Sequence, residues 1–257
     1  MCLLVIAWRS HPRYRLVLAG NRDEFHDRPT AALDWWDDEP ELLAGRDLRA
    51  GGTWLGLARS GRFGVVTNFR DGNGAPTSAP SRGRLVPDFL RSDRSAAEFL
   101  DALRPRAPGY AGFNLLLGDA QGLHYFTNVG EDTPRALAPG LYGLSNHRLD
   151  EPWPKLVRTR AGFESLLRDP DPEPAALLDL LADRTPAEYE SPPDGGLPPE
   201  LERALSAPFV RHERYGTRSS TAVLVGHGGR TTVVERRFDP AGAQCGTTHI
   251  EFPDRAA

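Results

Sequence analysis

Cys2 is the residue with the most chemistry to offer. Loss of the initiator methionine, expected before a small second residue, would make Cys2 the N-terminus and set its thiol beside a free α-amino group. Such an amine, with an unperturbed pKa of about 7.7–8.0, can act as general base while the thiol attacks a carbonyl. From its position alone Cys2 is more readily read as a small apolar residue opening a buried strand. A second polar group, Asn21-Arg22-Asp23-Glu24, follows an apolar run. A carboxylate there could hold the α-amine, and Arg22 could lower the thiol pKa. Neighbours on a strand point to opposite faces, so Arg22 and Asp23 serve one site only if the strand ends before them. A solvated turn with a surface ion pair is the plainer alternative. Asn68, Asn146 and Arg218 also stand at the ends of apolar runs. An Asn amide can donate to a developing oxyanion, and Arg can bind a carboxylate or polarise a carbonyl. Asn at a strand end is also a common turn former.

These residues need elements to carry them. Residues 2–8 and 15–20 read as strands joined through a turn at 11–14. Their antiparallel pairing would bring Cys2 beside the polar group at 21–24. Residues 53–58 and 63–68 read as a second hairpin, turning at 60–62. Helices are expected over 84–91 and 95–104, the second opened by Ser95 with Glu98 completing a capping box. Strands at 113–118 and 123–127 flank a turn at 119–122, and 140–146 is short, apolar and bounded by glycine. Helical spacing returns over 153–168 and near 175–183, a proline-rich loop over 186–199, and strands at 221–225 and 231–235. Strands, then helices, then strands with hairpin turns argue for an α+β fold with antiparallel sheets, not a doubly wound one. No glycine-rich phosphate-binding motif stands between a strand and a helix.

Composition narrows the function. The 257 residues are 39% hydrophobic and 26% charged, which excludes disorder for most of the chain. A net charge of −4 excludes the usual electrostatics of a nucleic-acid binder. The apolar run at 2–8 is too short to span a membrane and lacks the flanks of a signal peptide, so a cytoplasmic protein is expected. Cys2 and Cys245 are too few for a disulfide framework, and the seven histidines show no metal-binding spacing. Almost every cation is Arg, and Lys155 is the only lysine, a bias read as one of composition.

The motifs carry a resemblance across nearly the whole chain. They are Met1-Cys2, Gly20 to Phe25 with Arg28-Pro29-Thr30, Gly45-Arg46-Asp47, and Gly51 to Gly56. Further on stand Thr67 to Asp71, Ser81 to Leu85, Phe113 to Asp119, Gly143 to Asn146, Pro152-Trp153-Pro154-Lys155, and Tyr215 to Thr221. In these the chain closely resembles the NRDE family, also known as the transport and Golgi organization protein 2 family. The resemblance implies one domain over residues 1–257 with an N-terminal-nucleophile (Ntn) hydrolase-like fold, a four-layer αββα sandwich of two antiparallel sheets. The nearest enzymes by pattern are the cysteine Ntn amidases, which act on carbon–nitrogen amide bonds and need no cofactor. By that resemblance Cys2 is the nucleophile, Asn68 the oxyanion donor, Asn146 the second Asn and Arg218 the late Arg. Asp23 matches the carboxylate that holds the amine, and Arg22 the Arg. In those amidases the Arg precedes the Asp by three residues, whereas here they are adjacent. Asn21 could therefore take the Arg position and Glu24 the carboxylate role, both against the substrate. The family's biology implies an alternative, a non-catalytic haem carrier with His26, His147 or Cys2 as iron ligand. Trp35, Trp36 and Trp54 would then line a ligand surface or pack the core. The partner is thus a small-molecule amide or haem, with no nucleic acid and no membrane span.

Overall fold

The computed structural model describes residues 2–70, 79–130, 133–188 and 198–254. Thirteen strands and five α-helices alternate in blocks among these residues. The strands are β1 (Cys2–Trp8), β2 (Tyr14–Phe25), β3 (Thr30–Trp36), β4 (Glu39–Asp47), β5 (Leu55–Ala58) and β6 (Phe63–Asn68), then β7 (Phe113–Gly118), β8 (Leu123–Thr127), β9 (Arg135–Leu137) and β10 (Gly140–Leu144), and finally β11 (Tyr215–Gly226), β12 (Arg230–Phe238) and β13 (Gln244–Pro253). The helices are α1 (Leu85–Arg91), α2 (Ala96–Leu103), α3 (Pro154–Leu166), α4 (Pro174–Leu180) and α5 (Pro199–Leu205). The fold is α+β with two antiparallel sheets, and the chain divides into two compact units. Among the described residues no helix is long and apolar enough to cross a membrane.

The first unit holds residues 1–27, 139–145 and 149–251 and a six-stranded sheet in the order β10-β1-β2-β11-β12-β13. Its central strands carry buried apolar residues on both faces. Leu3, Val5 and Ala7 of β1 pack with Val17, Ala19, Ala222 and Leu224 against Leu156 and Phe163 of α3 and Leu177 and Leu178 of α4. Leu4, Ile6 and Trp8, on the other face of β1, are also buried. The spacing of Leu156, Thr159 and Phe163 gives α3 one inward stripe, and Pro154 opens it where no N–H is needed.

The second unit holds residues 28–138, 146–148 and 252–257 and a seven-stranded meander from β3 through β9 in chain order. Helices α1 and α2 cover it, with Phe89, Leu90, Phe99 and Leu100 set on Leu42, Val66, Leu115 and Leu117. Gly64 allows that approach, since a Cβ there would sit 3.1 Å from a Val86 methyl. Ser95 and Glu98 form the expected reciprocal capping box. Gly61, at φ 78°, makes the expected turn between β5 and β6.

Three differences from the sequence reading matter. The second strand continues past residue 20 to Phe25, so the Asn21–Glu24 group lies within it. The reason is lateral pairing, because β11 supplies partners as far as Phe25, which polar side chains alone do not reveal. Strands β3, β4, β9 and β13 were not anticipated; β13 in particular is mostly exposed and lacks an alternating apolar pattern. Of the loop expected over 186–199, residues 189–197 lie outside the described residues, and α5 begins at Pro199.

Candidate active site at the end of the first hairpin

In the first unit the ladder aligns Cys2 opposite Arg22, and Arg22 opposite Ser219. Directly paired residues share a face, so these three form a row across β1, β2 and β11. By alternation Asn21 and Asp23 take the helix-covered face with Ala19. Because β2 does not end at Gly20, Arg22 and Asp23 stay on opposite faces. The Asp23 main chain still reaches back to hydrogen-bond the Cys2 thiol. A register shift between Thr217 and Ser219 makes Arg218 the extra residue of a bulge, a common device for re-aiming a side chain beside a site.

Burial sets the electrostatics. It pushes the Cys2 thiol above its ordinary pKa, and the charge of Asp23 pushes the same way. The charge of the chain terminus and that of Arg22 oppose this without overcoming it. The expectation that Arg22 lowers the thiol pKa agrees with the direction of its influence, which burial outweighs. A thiolate loses more hydration on burial than a neighbouring guanidinium returns. Burial likewise raises the Asp23 carboxyl, against the pull of the chain terminus, Lys155, Thr217 and Arg22. Thr217 Oγ1 donates to Asp23 Oδ1 at 2.7 Å and accepts from the Val210 N–H at 2.9 Å. The Tyr215 hydroxyl donates to the Asp23 carbonyl at 2.6 Å.

The other members of the polar group hold the chain. Asn21, expected to meet substrate, instead donates from Nδ2 to the carbonyls of Leu181 and Pro208 (3.0 and 2.9 Å) and accepts from Ser220 Oγ (2.6 Å). With its carboxamide committed on both sides, Asn21 anchors the sheet to the segment beneath it. Glu24 is half-buried, accepts from the Phe25 N–H, and lies 3.9 Å from Arg22 Nη2, a separation set by their shared face. Arg218 Nη1 donates to the carbonyls of Phe25 and His26, both at 3.0 Å, clasping the chain just beyond β2.

The two asparagines belong to the second unit. Asn68 is the exposed last residue of β6, paired with Phe113. Asn146 is buried, and its Nδ2 donates to the Asn68 carbonyl at 2.8 Å while its own carbonyl accepts from the Arg70 N–H at 2.7 Å. The structure therefore brings these two together, with Asn146 bracing the backbone of Asn68 in place of the expected second oxyanion donor. Beside them Asn114, fully buried, donates to Thr67 Oγ1 and the His147 carbonyl and accepts from the Tyr125 hydroxyl at 2.7 Å. Sequence reasoning passed over Asn114, though a lone amide inside the apolar strand 113–118 was a signal. It also passed over Thr217, Ser219 and Ser220, whose hydroxyl-rich run lies opposite the polar end of β2.

The candidate iron-binding histidines differ in their surroundings. His26 Nε2 lies 3.0 Å from the His212 carbonyl, which can only accept, so that nitrogen carries a proton; its Nδ1 is buried. His147 stacks at 4.8 Å on Phe69 with Nδ1 buried. The tryptophans pack: Trp36 donates to the Ala44 carbonyl, Arg59 lies 3.7 Å over Trp35, and Trp54 fills the space a side chain at Gly45 would need.

Comparison with known proteins locates the chain among relatives. A family model described as Transport and Golgi organisation 2 matches residues 1–240. The Transport and Golgi organization 2 homolog of Mus musculus is 35% identical over 273 residues, covering 98% of this chain and 99% of that one. The Homo sapiens homolog is 36% identical over 258 residues, covering 92% of each. Among solved structures, the Caenorhabditis elegans N-acylethanolamine-hydrolyzing acid amidase ortholog aligns with a TM-score of 0.48 and 10% identity, covering 87% of this chain and 92% of that one.

Proposed function

The chain belongs to the Transport and Golgi organisation 2 family, and from that premise we propose that it is an N-terminal-cysteine hydrolase of carbon–nitrogen amide bonds. The observation that carries this reading is the row Cys2–Arg22–Ser219, with the Asp23 main chain hydrogen-bonded to the Cys2 thiol. After loss of Met1, the Cys2 amine takes the thiol proton as Sγ attacks the substrate carbonyl. The resemblance assigns the oxyanion to the Asn68 amide, whose backbone Asn146 braces. Collapse of the tetrahedral adduct breaks the C–N bond, and the ammonium returns its proton to the leaving amine. Water then hydrolyses the thioester, releasing the acid and restoring the thiol. Asp23 offsets the charge on the ammonium. Two cysteines held as thiols fit the reducing cytoplasm in which we place the protein.

The family's alternative, haem carriage, is less well served by two of its three candidate ligands: His26 has Nε2 bonded to the His212 carbonyl and Nδ1 buried, and burial favours the neutral form of the Cys2 thiol over the thiolate that binds iron. Haem titrated into the purified protein is expected to give no saturable Soret shift.

The test of the hydrolase is turnover of a panel of N-acyl amides by protein whose N-terminus is verified by mass spectrometry. Cys2→Ala is expected to abolish turnover, and Cys2→Ser to leave a trace. Turnover that survives Cys2→Ala, or none by the Met1-processed wild type across the panel, overturns the reading.

A further inference from the structure

The chemistry above leaves Pro152-Trp153-Pro154-Lys155 unused, and this motif holds the only lysine of the chain. Lys155 stands in the first turn of α3 and is 1% exposed. Both circumstances are unfavourable, since a buried ammonium loses its hydration and a cation at a helix start opposes the helix dipole. Compensation must come from its surroundings. Its Nζ donates to the Leu205 carbonyl at 2.9 Å and lies 5.9 Å from the Trp153 ring. From Leu205 the chain leads toward Asp23. Pro208 accepts from Asn21, and the Val210 N–H donates to Thr217 Oγ1, which donates to Asp23 Oδ1. The strap at 205–210 is thus held at one end by Lys155 and at the other by the hydroxyl that fixes the Asp23 carboxylate.

We propose that Lys155 is a positioning residue, a fixed buried countercharge that keeps Asp23 a carboxylate oriented for the N-terminal ammonium; the role rests on the hydrolase reading. The direction agrees with the electrostatics, in which the charge of Lys155 favours ionised Asp23. Among the described residues the charged and titratable groups to weigh beside Asp23 include Cys2 on β1, Arg22 and Glu24 on β2, Tyr215 and Arg218 on β11, Lys155 on α3, and Glu202, a buried carboxylate on α5, together with the charge of the chain terminus. Arg218 is committed to the carbonyls of Phe25 and His26. Glu202 lies on the same helix as Leu205, whose carbonyl Lys155 binds, so it is tested as the alternative anion.

A single lysine makes the experiment direct. In protein carrying 13C-lysine, one Nζ-adjacent carbon signal reports Lys155 and nothing else. Coupling is reciprocal, so Asp23→Asn should lower the proton affinity of Lys155 about tenfold, moving its midpoint to lower pH. Glu202→Gln should move it less. An unchanged Lys155 midpoint in folded Asp23→Asn overturns the proposal, as does a larger shift in Glu202→Gln. Neither variant alters the lysine, so the test survives even if Lys155→Met fails to fold. Where Lys155→Met does fold, Asp23 is less ionised and raises the thiol less, so the Cys2 alkylation profile should move to lower pH, and this shift should vanish in an Asp23→Asn background. Coupling without turnover of any amide overturns the hydrolase reading and leaves the pairing, whereas turnover without coupling overturns the pairing alone.

Discussion

Two carboxylates at opposite ends of β2 behave oppositely. Asp171 meets Tyr14 and Arg13 at the exposed start of the strand, with a 2.6 Å bond from the Tyr14 hydroxyl and a 2.8 Å contact to Arg13 Nη1. These bonds lower its pKa. Asp23, at the far end, also has a hydroxyl donor and cations nearby, yet its pKa is raised because burial outweighs all of them. The partners are alike in kind, and the solvent is what differs. A surface ion pair adjusts a charge that water already supports, whereas a buried one must replace the water. The same contrast explains why the polar end of β2 holds a carboxyl group of raised pKa while the other end tethers a loop through one of lowered pKa.

The comparison can be broken from its strongest side first. Asn21→Ala removes two donors and one acceptor from a buried site, and is expected to cost about 3 kcal/mol, measured by urea unfolding. A loss below about 1 kcal/mol would mean that the strap at 205–210 is not held by this side chain. Asp23→Asn tests the buried carboxylate itself. A raised native pKa means that folded protein holds its proton more tightly than unfolded protein. Its contribution to stability is therefore full below the unfolded pKa and declines as pH rises through the native pKa. The variant should lose that decline, and each tenfold difference in proton affinity between the folded and unfolded chain removes about 1.4 kcal/mol of pH dependence. Equal slopes in wild type and variant from the ordinary carboxylate range up to neutral pH would sink the account of Asp23.

Cys2 should follow the same logic in its reactivity when alkylation is followed residue by residue. Its labelling by iodoacetamide at neutral pH is expected to lag behind that of exposed Cys245 and to catch up as pH rises. Faster labelling of Cys2 at neutral pH would show that Arg22 and the terminus prevail over burial. Asp171→Asn should give the smallest effect. With a lowered pKa its stabilisation is present above the unfolded pKa and fades as pH falls, and half-molar salt should erase it. A midpoint shift that persists in salt would remove the distinction between the two ends.

Much of the architecture was legible in the chain. The run at 2–8, the capping box at Ser95 and the turn at Gly61 are local signals, and each is found where its pattern places it. The candidate residues were legible too, as types at the ends of apolar runs. Their roles were less so. Asn21 and Asn146 looked like groups that meet a ligand, but their carboxamides bond the main chain of remote segments, at Leu181, Pro208 and Asn68. No spacing rule exposes such a partner. Lys155 looked like a compositional accident until its burial and its bond to Leu205 were seen.

The sequence by itself determined which residues could carry charge or attack a carbonyl, and that strands would pair through short antiparallel turns, because side-chain chemistry and turn geometry are local properties. Only the tertiary structure decided that β2 runs on to Phe25, that Arg22 shares a face with Cys2 while Asp23 does not, and that burial prevails over nearby cations at both Cys2 and Asp23. Those outcomes depend on which strand lies alongside and how much water is excluded, and both are set by residues distant in the chain.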